Sequence, residues 1–451
     1  MKSYQHVSAN AASSTHRFTS NIKWQFIANG SQALLGGAYL IVLGRFLGPS
    51  DFGVFSAVMA IVSVIGQLLE MRLQEVVARD FCHLDEDATK SPESALQLLD
   101  LFALEVLARF LSALVILVFA KFFAQAINLE SNSIDLLILA AVGFFLSKSA
   151  NSVSNGLLRV LGRTDLIALC LTIDWGARLV FTFIALYFFN LDIYWVFIIA
   201  IIIGFLANFI LIGFAFHEFS LRVGPLNYIK WSFIDAKIRL LNVRRLILTN
   251  WGVSCADLMA KDLDVAVISS IVSSEKVGLY KMAKSFVQVL WRIIDPFLIT
   301  IMPELLKLWQ LKKFDEAKIL IKKTTFRLFL FALAVVVAGD LFLFLFIDQL
   351  LGTGYETTIS LVLIMSIWIP ISAPFIWGSA LAIAIGRPEI SLVGTIVGMI
   401  VGLISFKLLV PTYELIGAAI AWNLTLVSGF VFIAAASVMF VKYIKGSVHG
   451  L

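Results

Sequence analysis

The sequence predicts an all-α integral membrane protein of about twelve transmembrane helices, forming two six-helix bundles related by a pseudo-twofold axis along the membrane normal, with a central cavity. Three observations predict it. The chain is 60% hydrophobic and 14% charged, with a mean hydropathy of +0.94, which is more apolar surface than a soluble core of 451 residues hides. Its apolar stretches reach the roughly 20 residues needed to cross about 30 Å of hydrocarbon. Its polar residues recur inside those stretches at half the chain length.

The recurrence rests on two anchors. Gly53-Val54-Phe55 matches Gly278-Leu279-Tyr280 at an offset of 225 (278 − 53), and Gly162-Arg163-Thr164-Asp165 matches Gly386-Arg387-Pro388-Glu389 at 224 (386 − 162). Half of the chain is 225.5 residues. Two matches at one offset, each between apolar segments, point to duplication followed by divergence.

Taken in order, residues 1–21 are polar and rich in Ser, Thr and Ala, without the apolar core of a signal peptide, and read as a cytoplasmic tail. Apolar stretches then begin near 22, 53, 98, 134, 165 and 193, giving an N-terminal six-helix bundle over 22–217. A basic linker follows over 218–244. Stretches beginning near 245, 277, 325, 355, 390 and 414 give a C-terminal bundle over 245–442, and 443–451 is a second tail. Six spans return the chain to its starting side, so both bundles insert with one orientation. Basic residues concentrate at Arg17 and Lys23, Arg159 and Arg163, Lys237 to Arg245, Lys307 to Lys323, and Lys442 and Lys445; the opposite loops hold little beyond Lys121 and Lys276. The positive-inside rule therefore puts both termini and the linker in the cytoplasm. The net charge of +5 is a topology signal and implies no nucleic-acid partner.

Short amphipathic elements are expected only over 82–97, 218–244 and 304–324, all cytoplasmic, with no external domain. Cys82, Cys170 and Cys255 lack metal-ligand spacing, and His6, His16, His83, His217 and His449 are scattered. Neither a disulfide framework, a metal site nor a bound cofactor is expected.

A charge at the bilayer centre costs roughly 2.5–3.5 kcal/mol even on the lenient insertion scale, so interior polar residues mark function. In span 8, Lys281, Lys284, Gln288, Arg292 and Asp295 are spaced 3, 4, 4 and 3 apart, which holds them to one helical stripe about 21 Å long at about 1.5 Å per residue. Ser56, Ser63, Gln67 and Glu70 of span 2 are the half-length counterparts of Lys281, Gln288, Arg292 and Asp295. Span 7 carries Asn250, Ser254, Asp257, Lys261 and Asp264; its counterparts in span 1 are Gln25, Asn29, Gln32, Gly36 and Tyr39. Four helices thus present polar stripes, and turning them to one shared aqueous cavity solvates all four. That cavity is the expected path of a polar solute.

Intramembrane charges also pair to hold helices together. Asp257 with Lys261, Asp174 with Arg178 and Glu105 with Arg109 each lie four apart. The last two pairs lack charged counterparts in the other half and read as structural. Arg72, Glu75 and Arg79 form an interfacial face at the end of span 2, and Lys148, near Asn151 and Asn155 in span 4, fits either reading. Gly36-Gly37, Pro296, Pro370 and Pro374 are candidate bends.

The run Leu43-Gly44-Arg45-Phe46-Leu47-Gly48-Pro49-Ser50-Asp51-Phe52-Gly53-Val54-Phe55 resembles the span 1 to span 2 turn of polysaccharide flippases, the Wzx-type members of the multidrug/oligosaccharidyl-lipid/polysaccharide exporter superfamily. Asp264, the run from Gly278 to Ala283 and Pro303 resemble that family's span 7 to span 8 signature. The resemblance implies two six-helix bundles around a cavity lined by spans 1, 2, 7 and 8. It also implies translocation of a polyprenyl-pyrophosphate-linked oligosaccharide, such as an O-antigen or exopolysaccharide unit, from the inner to the outer leaflet of a bacterial inner membrane by alternating access. Lys261, Lys281, Lys284 and Arg292 would then meet the pyrophosphate, and Asn29, Gln32, Gln67 and Gln288 the sugars. Trp24, Trp251 and Trp291 would add stacking or interfacial anchoring. The stripes also hold Glu70, Asp257, Asp264 and Asp295, so the lining is mixed in sign; Asp257 and Asp264 are candidates for ion coupling. The partners implied are the lipid-linked oligosaccharide, membrane lipid, and the polymerase and glycosyltransferases of the same pathway. Cation-coupled export of drugs or small metabolites is the competing function. A membrane enzyme acting on lipid-linked sugars is disfavoured, because such chemistry wants an acid or base at an aqueous face, often on a substantial external loop, and the sequence has no such loop.

Overall fold

The computed structural model describes residues 2–81, 92–128, 134–223, 232–387 and 389–448. The side chains of 2–23 and of a few later residues, Asp295 and Pro296 among them, lie outside the described residues, as do Cys82, His83 and Pro388. The described chain is helical, without strands. The helices are α1 (Lys2–Leu68), α2 (Leu73–Asp80), α3 (Pro92–Val118), α4 (Ala120–Ala126), α5 (Ile134–Lys148), α6 (Asn151–Val160), α7 (Thr164–Phe189) and α8 (Ile193–Val223). They continue as α9 (Phe233–Ala256), α10 (Leu258–Lys261), α11 (Leu263–Ser269), α12 (Ser274–Gln310), α13 (Phe314–Leu351), α14 (Glu356–Ser366), α15 (Trp368–Ser372), α16 (Trp377–Ala384) and α17 (Glu389–Val448).

Eight described segments are long and apolar enough to cross a membrane. Two of them, 27–80 and 389–441, run to 54 and 53 residues, more than twice what a span needs, and each contains a break. In α1 the break is Gly48, at φ 73° and ψ 172°, a conformation open only to glycine. Pro49 follows as the first residue of the resumed helix, where its missing N–H costs nothing. In α17 the break is Glu414, at φ 49° and ψ −124°. Each long segment therefore supplies two spans. The α9–α11 run and α12 complete the expected twelve.

The duplication is written in the backbone. Gly162 and Gly386 have φ of 72° and 74°, and each closes a helix in the same way: Gly162 and Arg163 donate to the carbonyls of Arg159 and Leu158 at 3.1 and 2.8 Å, Gly386 and Arg387 to those of Ile383 and Ala382 at 3.0 and 2.9 Å. This is a Schellman closure at both ends. Asn128 and Gly352, at φ 51° and 81°, and Asn190 and Glu414, at 48° and 49°, are likewise 224 residues apart. Three pairs of left-handed residues thus share the offset read from the sequence.

By internal packing the chain forms two compact units, one of Met1–Val42, Ile65–Ala124 and Ser131–Cys255, the other of Leu43–Val64, Gln125–Glu130 and Ala256–Leu451. The first has a core in which Val76 and Val77 of α2, Leu101 of α3, Leu157 of α6 and Phe219 of α8 are buried completely. Within it, Asp100 accepts two bonds from Arg239, at 2.5 and 3.1 Å, tying the start of α9 to α3. In the second unit, Tyr355 donates to the carbonyl of Gly44 at 2.9 Å, where a side chain at 44 would collide with Met282.

Several spans are not single helices. Span 2 stops at Leu68, and Arg72, at φ 45°, turns the chain into the separate helix α2, which carries Glu75 and Arg79. Span 4 breaks between α5 and α6, span 7 at Asp257 and Asp262. Span 10 breaks around a 3-10 turn, Ala373–Phe375, flanked by Pro370 and containing Pro374. Those two prolines coincide with a break, whereas α12 runs on across Pro296 and α1 across Gly36-Gly37. The described ends of the segment 218–244 are helical, as parts of α8 and α9, and its middle lies outside the described residues.

Candidate functional site

The most densely charged interior region of the second unit is where α11 meets α12. Asp264 and Lys284 have no solvent-exposed side-chain area. The Lys284 ammonium donates to both carboxylate oxygens at 2.7 and 2.8 Å, and the Tyr280 hydroxyl donates to one of them at 2.8 Å. Lys284 also donates to the carbonyl of Lys261, at the break between α10 and α11, and lies 6.0 Å from the centre of the Trp422 ring. Such a pair is tolerable in a bilayer because its charges cancel and its hydrogen bonds are met. One turn earlier on α12, Lys281 binds Asp262 at 2.7 Å, both side chains keeping partial exposure. Trp291 of α12 belongs to an aromatic cluster, 4.4 Å from Trp368 and 5.5 Å from Phe430 between ring centres.

The break in span 7 has a local cause. Asp257 and Asp262 sit at the helix interruptions, where short carboxylates that bond their own backbone disfavour helix interiors. The five span 7 positions therefore do not continue one straight stripe: Asn250 and Ser254 fall in the first unit, Asp257, Lys261 and Asp264 in the second. Asp257 is half-buried and the Lys261 side chain exposed.

In the first unit, buried Gln67 donates to the carbonyl of Ser254 at 2.9 Å, and Asn250 to that of Arg72 at 3.5 Å. Trp251 donates to the carbonyl of Leu68 at 2.7 Å. The last two bonds satisfy carbonyls freed where span 2 ends. Glu70 faces Arg109 at 3.8 Å, and Arg109 donates to the carbonyl of Gly66 at 3.0 Å. Gln25 donates to exposed Asn29 at 3.2 Å, Gln32 is half-buried, and buried Tyr39 stands edge-on to Trp175 at 6.0 Å. In the second unit Ser56 is buried and donates to the carbonyl of Phe52 at 2.7 Å. Ser63 and Gln288 are half-buried, and Arg292 is exposed. The Asp295 side chain lies outside the described residues.

Of the two structural pairs, Asp174 and Arg178 do pair, at 2.7 Å. Glu105 does not bind Arg109. It accepts the backbone N–H groups of Ser152 and Val153 at 2.7 and 2.8 Å, capping α6, which starts inside the membrane. A carboxylate at a helix N-terminus is stabilised by the amides it accepts and by the helix dipole. Glu70, Glu105 and Arg109 line a small pocket with Met71, Arg72 and Ser152.

Sequence spacing missed Asp262, Tyr280 and Trp422. Their partners are 19, 16 and 138 residues away, so no helical period links them; an acidic residue inside an apolar span was the one signal that Asp262 offered.

Residues 18–309 match the family described as polysaccharide biosynthesis protein. Among solved structures, the chain resembles an inward-facing multidrug resistance MATE family transporter of the MOP superfamily, at 17% identity and a TM-score of 0.71, over 92% of this chain and 96% of that one. It resembles the lipid II flippase MurJ in an inward closed conformation at 15% identity and a TM-score of 0.67, over 94% and 93%. A MATE transporter of Vibrio cholerae matches at 14% identity and a TM-score of 0.60, over 96% and 98%. No curated protein matches the sequence significantly. The fold is that of membrane transporters.

Proposed function

From the premise that this chain belongs to the polysaccharide biosynthesis protein family, we propose that it is a flippase that moves a polyprenyl-pyrophosphate-linked oligosaccharide from the inner to the outer leaflet of a bacterial inner membrane, with both termini cytoplasmic. One observation carries the reading. The α12 helix presents Lys281, Lys284, Gln288 and Arg292 along one face within a chain of mostly apolar spans, and its two buried or half-buried lysines are balanced by Asp264 and Asp262. Balanced charges let a helix stay polar in the membrane without a fixed counter-ion.

The physics of the substrate suits such a wall. A sugar head carries hydroxyls that do not lose water cheaply, whereas a polyprenyl tail is at home in lipid. The protein has only to shelter the head, exchanging hydrogen bonds through Asn29, Gln32, Gln67 and Gln288. Exposed Arg292 and Lys261 are the cations of this face whose charge is most open to the pyrophosphate. The halves would alternate access, with Asp257 or Asp264 as coupling sites; an ion taken up at Asp264 competes with the Lys284 ammonium.

The test is reconstitution in liposomes with a short lipid-linked oligosaccharide, measuring inner-to-outer transfer by wild type, Arg292→Ala and Lys281→Ala. Transfer by wild type that both variants lose while folded supports the reading. No transfer across several lipid-linked sugars, with movement of small organic cations instead, transfers it to drug or metabolite export, in line with the multidrug resistance transporter among its structural neighbours.

A further inference from the structure

The first unit holds a second charged cluster that the sequence stripes do not include. Arg109 of α3, Lys148 of α5 and Arg178 of α7 gather around one face of α5. The Arg109 guanidinium lies 5.3 Å from the ring centre of Phe144, one turn before Lys148 on α5. Phe144 itself packs against Gly66 of α1, where a Cβ would come within 2.3 Å of its ring. From the other side, Arg178 and Ser147 both close on Gly204 of α8, each with an atom 2.4 Å from where a Cβ would stand. Lys148 is the residue next to Ser147.

The commitments of these groups differ. Arg178 is bound to Asp174 at 2.7 Å, Arg109 to the Gly66 carbonyl at 3.0 Å and to Glu70 at 3.8 Å, and Glu105 to the backbone of α6. Lys148 is exposed, its electrostatic neighbours are Arg178, Asp174, Arg109 and Glu70, and among the described residues no carboxylate lies within ion-pair distance of it. An ammonium inside a span whose neighbouring carboxylates, Asp174 and Glu70, are already taken up by Arg178 and Arg109 is held at a cost. A multidentate anion removes that cost, and guanidinium forks with an ammonium match the oxygens of a phosphate.

We propose that Lys148, flanked by Arg109 and Arg178, is the site at which the N-terminal unit binds the phosphate linkage of the transported lipid. This rests on the flippase reading and deepens it. Lys281 and Lys284 of α12 are bound by Asp262 and Asp264, whereas among the described residues no carboxylate lies within ion-pair distance of Lys148. Arg109 and Arg178 act as positioning residues, each fixed by its own carboxylate.

The test uses the full chain in phosphatidylcholine nanodiscs, with farnesyl pyrophosphate as the probe. Wild type binds it, Lys148→Arg retains binding, and Lys148→Gln and Lys148→Met each weaken it about tenfold or more, the loss expected for one charge-assisted hydrogen-bonding partner. Lys318→Met, an exposed lysine of α13, leaves binding unchanged. Inorganic pyrophosphate competes with the probe. Unchanged affinity in folded Lys148→Gln overturns the proposal, as does equal competition by phosphatidylglycerol, which would make the site one for bilayer lipid. The liposome assay separates the two readings: flipping that survives Lys148→Gln rejects this site and leaves the flippase standing. Binding lost with Lys148, in a protein that flips no lipid-linked sugar, keeps the site and rejects the flippase.

Discussion

Gly53 and Gly278 face each other across a reciprocal contact. A Cβ at Gly53 would lie 1.7 Å from the carbonyl oxygen of Ser274, and one at Gly278 would lie 2.1 Å from that of Pro49. Each such Cβ would also lie about equally near the other glycine's nitrogen, at 3.0 and 3.1 Å. Ser274 is the half-length counterpart of Pro49 (274 − 49 = 225), as Gly278 is of Gly53. Residue i meeting the mate of j, and j the mate of i, is the signature of a local twofold axis. The glycines recognised as sequence anchors are the ones that let the second part of α1 and the start of α12 touch backbone to backbone.

Gly53→Ala and Gly278→Ala are therefore expected to behave alike, each losing about 1–3 kcal/mol through overpacking. Thermal unfolding in detergent checks this, with Gly213→Ala as the control, since a Cβ there meets nothing within 4 Å. A stable Gly53→Ala protein would mean that the two helices separate freely.

Breaking the buried pair should cost more. Lys284→Met or Asp264→Asn leaves one charge or one set of polar atoms without its partner, a loss of about 3–5 kcal/mol at side chains with no exposure. The double variant should recover part of that loss. Additive losses in thermal unfolding would show that the two residues act separately.

Glu105→Gln is expected to weaken the internal start of α6 by about 1–2 kcal/mol, because a neutral amide oxygen accepts the Ser152 and Val153 amides less strongly than a carboxylate. Hydrogen exchange at those two amides reads the effect directly. Protection equal to wild type would place the cap elsewhere.

Ion coupling at span 7 gives a separate expectation. If Asp257 carries the coupling ion, Asp257→Asn flips its substrate without regard to an imposed proton or sodium gradient, while wild type responds to it. Unchanged gradient dependence in this variant removes Asp257 from that role.

Much of the architecture was legible in the chain. The apolar stretches gave the spans because a bilayer requires about 20 apolar residues for each crossing, and the paired glycines gave the repeat because only glycine occupies φ near 73° at Gly162 and Gly386 without strain. The breaks were less legible. The prolines of span 10 announced theirs, but Asp262 interrupts span 7 without a proline, and Pro296 leaves α12 continuous.

What the sequence determined by itself is the membrane class, the number of spans and the duplication, all set by local composition and period. What the tertiary structure decided is how the polar groups are used. Asp262 neutralises Lys281, Tyr280 and Lys284 share Asp264, Glu105 caps a helix in place of binding Arg109, and among the described residues Lys148 has no carboxylate within ion-pair distance. Periodicity places residues on a face, but the partner of a buried charge comes from another helix at a sequence distance without period. In a low-dielectric interior that partner decides whether the charge is spent on the fold or left for a ligand.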